Sequence, residues 1–418
     1  MRTNRWYVLA VLTLVYAINI ADRFSISTLI EPIRRELHLS DGGVAFLTGV
    51  SLALFYVTVG IPVAALADRA NRRNILAVSL AVWSGMTVLC GLAQNYFQLM
   101  LARFGVGIGE AGGTPPSTSM LADRFPPAQR PLALTIFALG ACLGAWTGSS
   151  LAGDAAARGG WRLAFLVLGV PGILVALLVW LTVPEPVRGE FDQSGASPGG
   201  RGLRATIRFL ATQPSAVHLL LGGAVATLWS WGLVWWTPTF LQRSHHMTIA
   251  EAGELLGSAH LIAGAAGTLG AAWWMGREAA SDPRYVSRWL GALTALATVP
   301  SICLYWTTSK LMTEALLWIF VPAVYFYIGP ILGLLQNVVP PTMRAMTCAI
   351  LLFLANIANL VIAPQVVGWL SDGFRPLAGD ESLRWALLIL APTGAWAAWH
   401  LWRSGETIRD DQLRVAGT

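Results

Sequence analysis

Charged residues are scarce in this chain. Only 12% of its 418 residues are Asp, Glu, Lys or Arg, whereas 55% are hydrophobic. Soluble domains carry about 25% charged residues. The mean hydropathy is +0.59. This composition excludes an ordinary soluble protein and indicates an integral membrane protein.

Motifs of catalysis and metal binding are also lacking. The sequence contains no nucleophile elbow, phosphate-binding loop or cluster of metal-ligand residues. Its four cysteines lie in separate apolar stretches without metal spacing, so we interpret them as small core residues. An enzyme is therefore the least favoured class, and we expect neither a metal nor a cofactor.

Apolar stretches long enough to cross a bilayer, about 20 residues each, account for most of the chain. We place twelve of them, at residues 6–30, 44–67, 74–93, 97–121, 130–153, 161–183, 215–241, 250–275, 286–308, 312–337, 345–370 and 383–402. The first is too long for a cleavable signal peptide and has no small-residue cleavage site after it, so we expect it to be retained.

One long polar stretch, rich in Pro, Gly, Ser and Arg, separates the sixth span from the seventh. We predict an all-α membrane protein with twelve transmembrane helices in two six-helix halves. The predicted parts are an N-terminal half (1–183), a cytoplasmic linker (184–214), a C-terminal half (215–403) and a mobile cytoplasmic tail (404–418).

A short internal repeat supports the two halves. The segment PPAQR at 126–130 recurs as PPTMR at 340–344, an offset of 214 residues, and the same offset relates Pro116 to Pro330. Such an offset, near half the length of the chain, suggests parallel duplicated halves.

The distribution of basic residues predicts the orientation. With the N-terminus placed in the cytoplasm, 18 of the 28 Arg and Lys residues fall on the cytoplasmic side and 8 on the other side. Cytoplasmic loops carry such an excess, so we expect both termini in the cytoplasm. The formal net charge of +6 then reflects topology and anionic lipid surfaces and needs no nucleic acid partner.

The segment RFGVGIGEAGGTPP, residues 103–116, places an Arg and a Glu inside the fourth apolar span. A charge at the centre of a membrane helix costs about 2.5–3.5 kcal/mol, and such groups usually mark a transport pathway. Arg103 and Glu110 are seven residues apart and share one helix face, and Pro115 and Pro116 should bend or break the helix. The alternative is a packing helix whose charges are paired for structure alone.

The first span contains a second set of intramembrane polar residues, Asn19, Asp22 and Arg23, which can share one helix sector. Together with Arg103 and Glu110 the four charges sum to zero. One added proton makes the cluster positive, so a proton could exchange for a cation or accompany an anion. We predict Asp22 and Glu110 as proton-coupling acids, and Arg23, Arg103 and Asn19 as charge partners or substrate ligands.

The loop between the second and third spans reads LADRANRR. It resembles a signature of the major facilitator superfamily, in which an Asp and basic residues hold one conformation closed. Ala64 and Asn71 stand where that pattern has glycines. The alternative role for the charges of this loop is a positive-inside anchor. A second Asp-Arg pair ends the fourth span. The predicted gating residues are Asp68, Arg69, Arg72, Arg73, Asp123 and Arg124.

The second half is aromatic and amide-rich at depth, and we find no formal charge deep in its last four spans. We expect Trp235 and Trp236 to form a lipid-facing or interfacial belt. The loop after the first span, EPIRRELHLSDGG, should present a solvated face. His260 could join proton transfer or serve as a hydrogen-bonded packing residue. Possible pocket-lining residues are Thr114, Trp231, His260, Tyr325, Asn337 and Asn356.

Asp22-Arg23, the segment Gly109-Glu110-Ala111 and the LADRF-PP-R loop resemble the spinster family of major facilitator transporters. The resemblance implies an alternating-access, proton-coupled secondary transporter of lysolipids in the cell membrane, here a bacterial inner membrane. The expected partners are a small amphipathic or anionic substrate, protons and membrane lipids, and we expect a monomer driven by a proton gradient. The alternatives are a transporter of small organic anions or drugs, and a non-transporting membrane receptor.

Overall fold

The structure is a computed structural model that describes residues 4–51, 62–63, 66, 70–126, 129–188, 202–278 and 282–416. Within these ranges every regular element is helical. The all-α prediction is therefore confirmed. In lipid a helix satisfies its backbone hydrogen bonds within one segment, which explains why apolar spans of this length fold as helices.

The α-helices are numbered in chain order. They are α1 Arg5–Glu36, α2 Asp41–Ala45, α3 Arg72–Leu92, α4 Tyr96–Glu110, α5 Thr114–Arg124, α6 Arg130–Trp146, α7 Ala152–Thr182, α8 Leu203–Ala211, α9 Pro214–Ser244, α10 Ile249–Ala259, α11 Ala265–Glu278, α12 Pro283–Trp306, α13 Lys310–Phe320, α14 Ile328–Asn337, α15 Arg344–Asn356, α16 Ala363–Ala378, α17 Ser382–Leu390 and α18 Thr393–Ala416.

Eight helical stretches among the described residues are long and apolar enough to cross a membrane. Two of them, Leu132–Thr182 and Met346–Val415, are long enough for two crossings each. The fourth predicted span is broken into α4 and α5, and most of the second predicted span lies outside the described residues. The eight stretches are therefore compatible with twelve spans.

The fourth span breaks where its sequence predicts. Helix α4 ends at Glu110, and α5 begins at Thr114 with prolines in its first turn. Proline lacks an N–H and cannot continue a preceding helix, but it fits the first turn of a new one. The break places Glu110 at a helix terminus inside the membrane-spanning region.

The offset of 214 residues recurs in the structure. Helices α5 and α14 begin at Thr114 and Ile328, and α6 and α15 begin at Arg130 and Arg344. π-helical turns cover Phe46–Val50 and His260–Gly264 at the same offset. A second pair, Thr147–Leu151 and Ile357–Ile362, differs from that offset by about one helical turn. The internal repeat is thus structural as well as sequential.

The chain forms two compact units. The first comprises Met1–Ser194 and Trp235–Ile262, and the second comprises Gly195–Val234 and Ala263–Thr418. The C-terminal end of α9 and the whole of α10 therefore cluster with the first unit. The boundaries of the two six-helix halves stay a prediction.

In the first unit, α1 packs closely on the helix formed by α6 and the π-helical turn that follows it. A Cβ atom added at Gly140, Gly144 or Gly148 would lie 2.3–2.8 Å from a backbone carbonyl oxygen of α1. Only glycine permits this approach, as expected for small residues repeated every fourth position. The contact holds the helix that carries Asp22 against its neighbour.

In the second unit, α12 packs along α18, and α18 continues to Ala416. Asp411 is buried and accepts hydrogen bonds from the backbone N–H and Oγ of Ser215, at 2.8 and 2.6 Å. The expectation of a mobile tail at 404–418 was therefore wrong up to Ala416: its polar residues include a helix-anchoring acid. The predicted linker also contains a helix, α8.

Candidate functional site

Asp22 lies at the centre of the first buried ion pair. Its Oδ2 accepts a hydrogen bond from Arg103 Nη1 at 2.7 Å, and its Oδ1 accepts one from Thr87 Oγ1 at 2.5 Å. All three side chains are buried. The pair joins α1 to α4, and Thr87 adds a contact from α3. The role of Thr87 was missed, because a single Thr in an apolar span gives no sequence signal.

Arg23 forms the second ion pair with Glu110. Its Nε and Nη2 both donate to Glu110 Oε2, at 2.9 and 2.8 Å. The Glu110 side chain is fully buried, whereas that of Arg23 is 15% exposed. This pair also joins α1 to α4. Each helix therefore contributes one acid and one Arg, and both pairs form between helices although the sequence places each acid on the same helix as an Arg.

We call Asp22, Arg23, Arg103 and Glu110 the middle cluster. It has two negative and two positive charges, and Glu110 interacts electrostatically with both Asp22 and Arg103. Its hydrogen bonding is incomplete: Arg103 Nε and Nη2 and Glu110 Oε1 are buried without a partner among the described residues. The amide nitrogen of the neighbouring Asn19 is in the same situation. Buried polar atoms of this kind favour a site that changes partners.

A second buried ionic group lies where α1, α2 and α9 meet. Arg243 donates from Nη1 and Nη2 to the two carboxylate oxygens of Asp41, at 2.8 and 2.7 Å, and from Nε to Glu31 at 2.8 Å. Arg34 and Arg35 donate to the other oxygen of Glu31, at 3.0 and 2.6 Å. We call Glu31, Arg34, Asp41 and Arg243 the loop cluster.

The loop cluster corrects the expectation of a solvated loop after the first span. Glu31 and Asp41 are buried, and α1 runs on to Glu36. The sequence indicates Arg34 and Arg35 as local partners of Glu31 but not Arg243, because Arg243 follows about 200 residues later and reads only as a basic residue at the end of a span. Each oxygen of both carboxylates accepts a hydrogen bond from an Arg, so the two acids are stable when buried.

The predicted gating residues are only partly described, since Asp68 and Arg69 lie outside the described residues. Arg72 is buried and donates to Asp123 at 2.5 Å and to Glu185 at 2.8 Å, which joins α3 to α5 and to the segment after α7. Arg73 donates through its backbone N–H to Glu185, and Arg124 donates to the carbonyl oxygen of Pro184. Glu185 was missed because it stands in the polar linker.

The six possible pocket-lining residues are divided between the two units. Thr114 and His260 belong to the first, where His260 is buried and its ring contacts Phe24 with centroids 4.8 Å apart. The other four belong to the second. There Trp231 and Tyr325 meet edge to face at 5.8 Å. Asn356 is half-buried and Asn337 is exposed.

The expectation that Trp235 and Trp236 form a lipid-facing belt was wrong. Their exposed fractions are 7% and 0%. Ser27 Oγ donates to the carbonyl oxygen of Trp235 at 2.6 Å, which joins α1 to α9 within the first unit. An aromatic pair near the end of a span has the same sequence pattern whether it faces lipid or protein.

Ionisable groups buried between the spans of a multi-pass helical membrane protein are typical of transporters. A family model, the Major Facilitator Superfamily, matches residues 12–363. The chain therefore belongs to the Major Facilitator Superfamily, and within it the chain is spinster-like.

Three relatives support this assignment. An MFS-type efflux pump of Mycolicibacterium smegmatis is 33% identical over 92% of this chain and 89% of its own length. The sphingosine-1-phosphate transporter SPNS2 of Mus musculus is 29% identical over 91% of this chain and 72% of its own. A solved bacterial homologue of the human lysosomal transporter spinster, inward-facing and unoccupied, is 30% identical with a TM-score of 0.87 over 98% and 99% of the two chains. These relatives are transporters, as predicted, and not enzymes.

Proposed function

We propose that the protein is a proton-coupled transporter that works by alternating access and carries an amphipathic, lysolipid-like anion. Asp22 and Glu110 are the proton-binding acids in this proposal, and Arg23 and Arg103, with Asn19 beside them, are their partners. The observation that carries it is the Arg23–Glu110 pair, in which a fully buried acid neutralises a partly exposed Arg. No cofactor is required beyond the proton gradient.

The coupling step follows from charge balance. The oxygen Oε1 of Glu110 is buried and accepts no hydrogen bond from the described residues. A proton on this oxygen neutralises the carboxylate and removes the charge that Arg23 balances. The cluster then carries one net positive charge. Because Arg23 is the partly exposed member, its guanidinium can bind an anionic headgroup, and a planar guanidinium suits the oxygens of phosphate.

The amphipathic substrate is supported by the chemistry of the two units. The first contains the charged middle cluster, and the second contains the Trp231–Tyr325 aromatic contact with amides at Asn337 and Asn356. A charged headgroup would find a matching environment at the middle cluster of the first unit. The similarity to the sphingosine-1-phosphate transporter favours the same substrate class.

The test is uptake into liposomes that contain the purified protein. Lysophosphatidic acid or sphingosine 1-phosphate is offered with and without an imposed pH gradient, to wild type and to Glu110→Gln. We expect the gradient to drive accumulation only in wild type. The variant should still exchange substrate across the membrane in the absence of a gradient, because the amide keeps the shape of the side chain but does not bind a proton.

The matched control is Glu254→Gln, which removes an exposed carboxylate of α10 in the same unit. It should accumulate substrate as wild type does. Gradient-driven accumulation that survives in Glu110→Gln would exclude Glu110 as a coupling acid.

A second candidate function is efflux of small organic anions or drugs. It is favoured by the similarity to the efflux pump of Mycolicibacterium smegmatis, which is more identical in sequence to this chain than the sphingosine-1-phosphate transporter is. The same liposomes distinguish the two functions. Accumulation of planar or hydrophilic solutes, with lysolipids inactive both as substrates and as competitors, would establish the second. A receptor would bind a ligand without moving it.

We propose that the protein is a monomer in a bacterial inner membrane with both termini in the cytoplasm, and that the contacts of Arg72 with Asp123 and Glu185 hold one conformation closed. Asp68, Arg69, Arg73 and Arg124 are the other members of this gate. Reporter fusions at the two ends test the topology, since a cytoplasmic reporter should be active at both.

A further inference from the structure

A cavity of about 190 Å³ lies among four segments of the first unit and reaches Asp22. Its walls come from α1, α3, the end of α6 with the π-helical turn that follows, and α7. The innermost residues are Asp22, Trp83, Ser84 and Thr87, all buried. The cavity therefore leads to a carboxylate of the middle cluster from within one unit.

The mouth of the cavity is apolar and faces outward from this unit. Leu14, Leu151 and Val167 line it and are 39–44% exposed. The same side of α7 presents further exposed apolar residues, among them Val170, Ile173 and Leu174. A membrane-spanning helix with such a surface faces lipid hydrocarbon. A molecule that enters this cavity would come from the bilayer.

The inner end of the cavity is polar and incompletely hydrogen-bonded. Ser84 Oγ and Trp83 Nε1 are buried and have no partner among the described residues. Both can donate a hydrogen bond, whereas the Asp22 carboxylate can only accept, and it has lone pairs beyond those used by Thr87 and Arg103. The inner end of the cavity thus has two hydrogen-bond donors and one acceptor that a ligand can use.

We propose that this cavity binds a small neutral amphiphile with one hydroxyl group, such as a medium-chain alcohol, taken up from the bilayer. The hydroxyl donates to Asp22 and accepts from Ser84 or Trp83, and the hydrocarbon chain fills the apolar mouth. An anionic headgroup is excluded because it would be placed beside the Asp22 carboxylate. The ligand therefore differs in chemistry from the transported anion, although its site shares Asp22 with the middle cluster.

The test uses octan-1-ol with a diazirine on its chain, added to the purified protein in lipid nanodiscs. After illumination, mass spectrometry locates the adducts. We expect saturable labelling of the lining residues between 143 and 175. Unlabelled octan-1-ol should compete. Its methyl ether, which accepts but cannot donate, should compete about tenfold more weakly, because one hydrogen bond to a charged group is lost. Octyl phosphate should not compete.

Two substitutions of matched size test the position. Leu151→Trp fills the mouth and should abolish saturable labelling, whereas Leu174→Trp adds the same side chain to an exposed site of α7 outside the lining and should leave it unchanged. Ser84→Ala removes one of the donors and should weaken competition by octan-1-ol several-fold. A protein that elutes as a single species in all three variants shows that folding is retained.

Two results would overturn the proposal. One is non-saturable labelling spread over the lipid-facing residues of α7, which would indicate partition into the bilayer alone. The other is saturable labelling that Leu151→Trp leaves intact, which would place the site elsewhere.

Discussion

The middle cluster and the loop cluster each bury two acids against arginines, yet they are completed differently. In the loop cluster both carboxylates use both oxygens, and Arg243 donates from all three of its side-chain nitrogens. In the middle cluster Glu110 uses one oxygen, and Arg103 has two nitrogens without a partner among the described residues. The first arrangement holds helices in one place, and the second leaves positions for a proton or ligand.

The difference matters because the low dielectric of the protein interior strengthens each hydrogen bond that is formed and raises the cost of each one that is missing. A fully satisfied buried network fixes one arrangement, whereas a partly satisfied one is less stable and can rearrange at lower energy. Removing residues from each cluster in turn should therefore change different properties of the protein.

The largest effect is expected for Arg243→Ala. It removes both hydrogen bonds of Arg243 to the buried Asp41 and its bond to Glu31, which keeps only Arg34 and Arg35. Removal of one partner of a buried pair costs about 3–5 kcal/mol. We expect a large fall in the thermal unfolding temperature of the purified protein.

The control for this substitution is Arg158→Ala, which breaks an exposed pair with Asp154. Exposed pairs contribute less than about 1 kcal/mol. Equal melting temperatures for the two variants would show that the loop cluster does not hold the fold.

The second prediction sets one acid of each cluster against the other. Asp41→Asn removes charge-assisted hydrogen bonds worth about 1.5–3 kcal/mol each, so it should lower stability without shifting the pH dependence of transport. If Asp22 binds a proton as proposed, Asp22→Asn should shift that pH dependence, because the amide cannot take up the proton. Melting curves and uptake at several pH values measure both. The interpretation fails if the two variants exchange these phenotypes.

The middle cluster shows how far the sequence was informative. All four of its residues could be named from their depth in apolar spans, because a charge there is costly and rare. The partners could not be named, since helical spacing relates residues within one helix and says nothing about the rotation of α1 against α4. The loop cluster was missed for a related reason: Glu31 and Asp41 stand among other charges at the end of a span, where charge is ordinary.

The third prediction concerns the backbone beneath Glu110. A Cβ atom at Gly109 would lie 2.6 Å from the backbone nitrogen of Trp83. Gly109→Ala should therefore push α3 and α4 apart and cost about 1–3 kcal/mol, as overpacking does. It should alter the middle cluster and leave the loop cluster intact.

The matched control is Gly85→Ala in α3, where a Cβ would meet nothing within 4 Å. Alanine favours a helix over glycine by about 0.5–1 kcal/mol, so this variant should be as stable as wild type or slightly more so. Thermal unfolding of the two variants side by side provides the measurement. If Gly85→Ala were less stable than Gly109→Ala, the loss of stability in Gly109→Ala could not be attributed to close packing at Gly109.

The smallest effect is expected at an exposed pair, Asp282 and Arg409, which are 2.6 Å apart. Desolvation alone would raise the pKa of Asp282, but hydrogen bonds from Arg284 and Arg409 lower that pKa below its ordinary value. A lowered pKa contributes stability above the unfolded-state value, and this is lost as the pH falls through the folded-state pKa. Arg409→Ala should thus lower the melting temperature slightly at neutral pH and not at strongly acid pH. An equal effect at both would show that Asp282 is not involved.

The fold itself was more predictable than the contacts. The break between α4 and α5 followed from Pro115 and Pro116, and the spacing of Gly140, Gly144 and Gly148 is typical of the close helix packing that they permit. Burial was predicted less well: Trp235 and Trp236 are core residues, and Asp411 anchors the helical tail. In each case the prediction of burial used only the apolar or polar character of the residue. The observed burial depended on a partner distant in the sequence.

The π-helical turns at Phe46–Val50 and His260–Gly264 bear on how the internal repeat evolved. A π-helical turn is a local widening of the helix, and these two lie at equivalent positions of the repeat, separated by the same 214 residues as the two PP-R segments. Two independent insertions at one matching site are a less economical history than a single ancestral event. A single irregular turn that was present before duplication would account for both.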